Sequence, residues 1–280
     1  MHTLRWRRMK RAEAPIAEAF LRERESRCVS ACARFLQREA GDDLWALPGE
    51  TRGAISSLLL NSRSSLFPVF DGREVPAPHF INRFLGRIPI HAIQGSLRDT
   101  EILGAILTGL GYQKSDQYDY DLMNLDREPP PESLRAGPSD LILRRPAVMD
   151  IEELFPIQAA YEQEEVLPRD AEFNAAACRL NLEHILGREQ ILTARLNGRI
   201  VGKINTNAQS FSRVQIGGVY VHPDYRGLGI ATRMTAVFAG ELRAQGRGLS
   251  LFVKKHNAAA RRTYQETGFV VVGDYRICYY

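Results

Sequence analysis

One stretch of the chain has the residue types and spacing to hold an anion. In Val219-Tyr220-Val221-His222-Pro223-Asp224-Tyr225-Arg226-Gly227-Leu228-Gly229-Ile230-Ala231 an apolar strand runs into a glycine-rich turn that opens a helix. The first N–H groups of a helix have no internal partner, and with the helix dipole they form an anion site. Glycines let phosphate oxygens approach the backbone, and Arg226 adds positive charge at the mouth. Rival phosphate motifs fail at named positions. A Walker loop would end in Gly-Lys-Ser/Thr, and a dinucleotide fingerprint would place glycine where Thr232 stands.

A second segment lies downstream, Asn257-Ala-Ala-Ala260-Arg-Arg-Thr-Tyr264-Gln-Glu-Thr-Gly268-Phe269. Asn257 is a helix N-cap by type and Gly268 a C-terminal stop. Taken together, Arg226-Gly-Leu-Gly229-Ile-Ala231 and Asn257 to Phe269 resemble the signatures of the GCN5-related N-acetyltransferase (GNAT) superfamily. The resemblance covers about Pro138 to Tyr280. It implies an acyl-CoA N-acyltransferase fold and transfer of an acetyl group from acetyl-CoA to a primary amine by direct attack in a ternary complex. The alternative is a catalytically weak acyl-CoA-binding regulatory or partner-binding module. Aminoacyl transfer from charged tRNA, a third reading, fits poorly with an intact pyrophosphate motif.

The resemblance also implies roles. The pyrophosphate falls on Arg226, Gly227, Leu228, Gly229, Ile230, Ala231 and Thr232, and the pantetheine arm on Val219, Tyr220, Val221, Asn257 and Ala260. Tyr264 is the expected general acid for the departing thiolate and also touches the cofactor. The expected base is less defined, because the strand Val214 to Val221 carries no carboxylate. The acidic stretch Tyr161-Glu162-Gln163-Glu164-Glu165 lies where the first helices of such a domain wall the acceptor site, and Glu162 or Glu165 is preferred. Asn205, Asn207 and Gln215, polar residues on expected central strands, are candidates for the acceptor side, since buried amides need partners. His222 and His184 read as structural.

The elements that must position these groups follow from periodicity. Leu141 to Arg145 reads as a strand, Asp150 to Glu165 and Ala171 to Leu186 as helices. Gln190 to Leu196 and Ile200 to Asn205 read as strands joined at Asn197-Gly198, a type I′ hairpin signal. Val214 to Val221 is a strand, and a helix from Gly229 presents Ile230, Met234, Val237, Phe238 and Leu242. Leu249 to Val253, the helix from Asn257 to Thr267 and a strand from Val270 complete an α/β (α+β) module with a mixed sheet.

The proline-rich stretch 129–138 reads as a linker between residues 1–128 and 139–280. The first part offers a fainter echo of the same order. Leu4 to Arg8 reads as a strand before an acidic helix, Ile55 to Phe70 as two strands and Ile90 to Gln94 as another. A helix over Leu97 to Leu110 and a strand over Tyr118 to Leu125 follow. This points to tandem GNAT-like domains with a degenerate first copy, because Gln94-Gly95-Ser96 lacks the pyrophosphate signature.

The 280 residues suffice for two domains, and a net charge of +4 is too weak to argue for nucleic acid. Acids at Glu13, Glu18, Glu23 and Glu25 speak against a transit peptide, and no apolar run suits a membrane span. Four scattered cysteines, with only Cys28 and Cys32 close, read as reduced thiols in a cytoplasmic protein without a metal. The expected partner is a small-molecule or peptide amine, with oligomeric state open.

Overall fold

The computed structural model describes residues 5–39, 42–49, 51, 53–71, 83, 85, 89–167 and 171–280. Two compact units divide the chain. One comprises Met1–Leu122, Phe252–Lys255 and Val272–Tyr280, the other Met123–Leu251 and His256–Val271.

In the first unit, β1 (Arg7–Arg8) precedes α1 (Ala14–Arg22) and α2 (Val29–Leu36). Leu4, at the start of the expected strand, lies outside the described residues. Strands β2 (Asp43–Pro48), β3 (Ile55–Ser62) and β4 (Ser65–Phe70) form an antiparallel meander, and β5 (Ala92–Ser96) then pairs parallel to β4. Helix α3 (Leu97–Gly109) starts at Ser96, whose hydroxyl accepts from the Asp99 N–H, and β6 (Asp116–Leu125) follows. The final strand, β12 (Val270–Tyr279), pairs antiparallel with β5 from Tyr275↔Ser96 to Tyr279↔Ala92. Trp6, Trp45, Leu59, Leu66, Ile93, Leu103 and Leu107 build the core.

Two features of this unit escaped the sequence reading. Helix α2 and strand β2 were not anticipated. The β3–β4 turn uses Arg63 and Ser64, both at positive φ (50° and 62°), without the Asn-Gly type of signal. Gly95 is not a phosphate glycine. It lies inside β5, and a Cβ there would sit 3.1 Å from the Pro68 carbonyl oxygen, so it permits close strand approach. Cys28 and Cys32 are both buried, with their sulfurs 3.6 Å apart.

In the second unit the sheet order is β11-β10-β9-β8-β7. Strands β7 (Ile142–Arg144), β8 (Ile191–Leu196), β9 (Arg199–Gln209) and β10 (Arg213–Val221) are antiparallel. The β8–β9 turn is the expected Asn197-Gly198, with both φ values positive. Helices α5 (Ile151–Tyr161) and α6 (Ala175–Arg188) pack on this sheet through Leu154, Ile157, Leu182, Ile191, Ile200 and Tyr220. Helix α6 begins later than its periodicity suggests, because the Asn174 side chain caps the Ala177 N–H. A further helical turn, α4 (Pro131–Leu134), lies within the proline-rich stretch.

The crossover from β10 to β11 (Gly248–Lys254) is α7 (Ile230–Ala244), and α8 (Ala258–Glu266) follows. Helix α7 buries Ile230, Met234, Phe238, Ala239 and Leu242, while Val237 is only half-buried. Strands β10 and β11 pair in parallel only from Arg213↔Gly248 to Gln215↔Ser250, although β10 runs on to Val221.

Candidate active site

The site begins with a helix start that lacks a side-chain cap. Gly229 is the N-cap of α7, in the left-handed region at φ 78°, and offers no side chain to the first turn. The helices α3, α6 and α8 each spend an Ser or Asn side chain on that task. The N–H groups at the start of α7 are therefore left to bind something else. Gly229 has a second constraint, since a Cβ there would lie 2.8 Å from the Gly137 backbone nitrogen. Gly227, at φ 77°, faces open space.

This helix start opens on a cleft of about 520 Å³. Of the residues singled out from the sequence, Val219, Tyr220, Val221, Arg226, Gly227, Gly229, Ile230, Ala231, Thr232, Asn257, Ala260, Tyr264 and Glu165 line it. Leu228 is about half exposed at 47% and lies outside the lining. Glu162, Asn205, Asn207 and Gln215 also lie outside it. The sequence reading missed Tyr225, Ala259, Arg262, Thr263 and Glu266, which do line it. Ala259, Arg262, Thr263 and Glu266 share an i, i+3, i+4, i+7 stripe of α8 next to the one that carries Ala260 and Tyr264, and that spacing is the signal for them.

Asn257 has two contacts. Its Oδ1 accepts from the Ala260 N–H at 3.0 Å, the N-cap bond, and its Nδ2 donates to Glu165 Oε1 at 3.3 Å. Tyr264 is buried on α8 with its ring edge-on to Phe269, centroids 6.1 Å apart. Burial pushes its phenol well above the usual range, with Tyr161 and Glu165 adding to the effect, so the hydroxyl keeps its proton.

The acidic stretch does not continue α5 as an ordinary helix. Residues Glu162–Val166 wind as a π turn, closed by the Leu167 N–H donating to the Glu162 carbonyl at 2.9 Å. The widened turn sends the three carboxylates to three different partners. Glu162 Oε1 accepts from Gln158 and Asn181, both at 2.7 Å. Glu165 reaches the cleft and Asn257. Glu164, passed over in the sequence, accepts from the Tyr220 hydroxyl at 2.5 Å and from Arg226 Nη2 at 2.7 Å. Partial burial would raise the Glu164 pKa, but these two hydrogen bonds outweigh it and the carboxyl ends lower than usual. The Glu164 hydrogen bond in turn raises the Arg226 guanidinium. Arg226 also donates from Nε to the Val221 carbonyl at 2.9 Å.

Asn205 and Asn207 belong to a polar cluster rather than to the cleft wall. Asn205 Nδ2 donates to Asn207 Oδ1 at 2.9 Å, and Asn205 Oδ1 accepts from Lys203 at 2.8 Å. Gln215 is buried in the β10 ladder opposite Ala208.

With this geometry in hand, comparison with known proteins is direct. Residues 148–269 match the model of the Acetyltransferase (GNAT) family. A search of curated proteins finds no match by sequence. Solved structures are similar over nearly the whole chain. A Drosophila protein has a TM-score of 0.67 at 11% identity, covering 99% of each chain. A GCN5-related N-acetyltransferase from Sphaerobacter thermophilus has a TM-score of 0.58 at 19% identity, covering 98% of this chain and 94% of the other. A tandem GNAT protein from the clavulanic acid biosynthesis pathway has a TM-score of 0.58 at 12% identity, covering 99% and 98%. At these identities the likeness speaks for the fold. The match to the GNAT family model thus falls on the part of the chain that carries the cleft. The chain as a whole has the acyl-CoA N-acyltransferase fold, consistent with tandem domains. Among the described residues no helix is long and apolar enough to cross a membrane.

Proposed function

We propose that the protein transfers an acetyl group from acetyl-CoA to a primary amine of a small molecule or peptide, by direct attack in a ternary complex. The observation that carries this reading is the uncapped start of α7 opening on the cleft that Asn257 and Tyr264 also line. The residues present suit the donor. The backbone from Gly227 to Ala231, with Arg226 and Thr232, would receive the pyrophosphate. Val219, Val221, Asn257 and Ala260 would hold the pantetheine arm. Acetyl-CoA, when bound, supplies the activated thioester.

The chain's own groups then handle the protons. Glu165, on the cleft and hydrogen-bonded to Asn257, is better placed than Glu162 to take the amine's proton. Tyr264, kept protonated by burial, donates to the thiolate that leaves. The Val219 N–H polarises the thioester carbonyl. Holding donor and amine together supplies much of the rate, so no acyl-enzyme is required. We assign this chemistry to residues 139–280, with 1–128 as a degenerate copy and 129–138 as the connection. Calorimetric titration with acetyl-CoA, followed by thiol release across a panel of amines, tests the reading. Binding plus amine-dependent release supports it. Binding without release from any amine would favour a regulatory acyl-CoA-binding module.

A further inference from the structure

Lys203, on β9, is completely buried. An ammonium taken out of water is costly unless its N–H bonds find partners. Here Nζ donates to Asn205 Oδ1 at 2.8 Å and to the Gly218 carbonyl at 3.1 Å, and lies 4.7 Å from the Tyr161 ring centroid. Its three N–H groups thus have two oxygen acceptors and an aromatic face.

Gly218 is part of a β-bulge. The β10–β9 register passes from Gly217↔Asn205 to Tyr220↔Lys203, so β10 carries one more residue than β9 across that step. The bulge needs both glycines. A Cβ on Gly217 would lie 1.9 Å from Asn207 Nδ2. One on Gly218, at φ 58°, would lie 1.9 Å from Asn205 Oδ1 and 2.6 Å from Lys203 Nζ. The amides and the ammonium fill the space that side chains would take.

The Gly218 carbonyl and the Val219 N–H belong to one trans peptide unit. They point in opposite directions and share one resonance system. A cation on the oxygen fixes the peptide plane and draws electron density from the nitrogen, which makes the N–H a stronger donor. Val219 lines the cleft. We propose that Lys203 is a positioning residue for acyl transfer, holding the Gly218–Val219 peptide so that the Val219 N–H is presented and sharpened as the thioester-carbonyl donor. The proposal rests on the acyl-transfer reading above.

The groups facing Lys203 are Tyr161 at the end of α5, Glu162 at the start of the π turn, Cys178 on α6 and its cross-strand neighbour Tyr220. Burial brings the amine down to about 7, against the attraction of Glu162 and Cys178. The contact is therefore strongest below that pH.

The test uses the full chain labelled with ¹⁵N-valine. The Val219 amide resonance of the wild type should titrate with a midpoint near the Lys203 value of about 7. Lys203→Met should remove that titration and lower acetyl-CoA turnover by about tenfold, with CoA affinity unchanged. Lys203→Gln, which can still donate to the Gly218 oxygen, should recover part of the turnover without the titration. A flat Val219 titration in the wild type, which needs no variant to fold, overturns the proposal, as does wild-type turnover in Lys203→Met. A wild-type chain that binds no acetyl-CoA overturns the acyl-transfer reading itself, and the role of Lys203 falls with it.

Discussion

In the proposed reaction Tyr264 is the general acid, and burial keeps its phenol in the protonated form that this role needs. Tyr264→Phe keeps the ring and its contact with Phe269, so CoA affinity should hold while turnover falls by about a hundredfold or more. Thiol-release kinetics beside calorimetry would check both halves. Lys203 makes a stability prediction of a different kind. Its pKa falls from 10.5 to about 7 on burial, so between those values the unfolded chain holds the proton and the folded chain does not. The contribution is complete above the unfolded value and is lost as pH drops through the folded one. The shift corresponds to roughly 5 kcal/mol as an upper bound. Urea unfolding of wild type and Lys203→Met should therefore show wild type gaining on the variant from neutral to mildly alkaline pH. Lys203 itself was not legible in the sequence. A lysine inside an apolar strand reads as an edge residue until the carbonyl and ring that receive it are brought from Gly218 and Tyr161.

At the scale of elements, the turn before α7 and the helix α8 were legible because each carries a local rule. One is a glycine turn before an apolar helical face and the other an asparagine cap with a glycine stop. The hairpin at Asn197-Gly198 was legible for the same reason. The Arg63-Ser64 turn carries no such signature, and its positive φ values come from the strands it joins. Glu164 was missed for a geometric reason. Reading residues 150–165 as one α-helix assigns Glu162, Glu164 and Glu165 to helical positions, whereas the π turn redirects them. This turn ties the acidic stretch to the glycine turn, since Glu164 holds Arg226, the residue proposed to meet the pyrophosphate. In the proposed complex, cofactor phosphates would compete with Glu164 for that guanidinium. Glu164→Gln should tighten CoA binding by up to about fivefold, in line with a partly exposed ion pair. Calorimetry at low and high salt would read it, and weaker binding would show that Glu164 supports the loop instead.

At the scale of the molecule, both units contain a parallel strand pair that stops early. In the first, β4 and β5 pair only at Ser65↔Ala92 and Leu66↔Ile93, and a cleft of about 660 Å³ lies beside their ends. The two clefts differ in what fills them. The Phe70 N–H donates to the buried Asp99 carboxylate at 3.2 Å, so a strand donor of the first unit is already taken. The first unit thus also has a short parallel strand pair, and beside it the Phe70 N–H is held by Asp99. Its limits were not legible, because β5 takes β12 as its neighbour from the far end of the chain. Residues 1–128 expressed alone should accordingly fail to fold cooperatively, and a sharp thermal unfolding transition from that fragment would contradict this account.

In the proposed function the start of α7 receives the pyrophosphate of acetyl-CoA. Gly229 is a poor position at which to test it, because any side chain there strikes the Gly137 backbone and disturbs the loop. Gly227 faces open space, and its left-handed conformation is one that aspartate tolerates better than most residues. Calorimetric titration of acetyl-CoA into wild type and Gly227→Asp is the direct measurement. One site per chain is expected in the wild type, and at least about a tenfold loss of affinity in a folded variant that places a carboxylate against the phosphates. Unchanged affinity in Gly227→Asp, or no binding to the wild type, would contradict it.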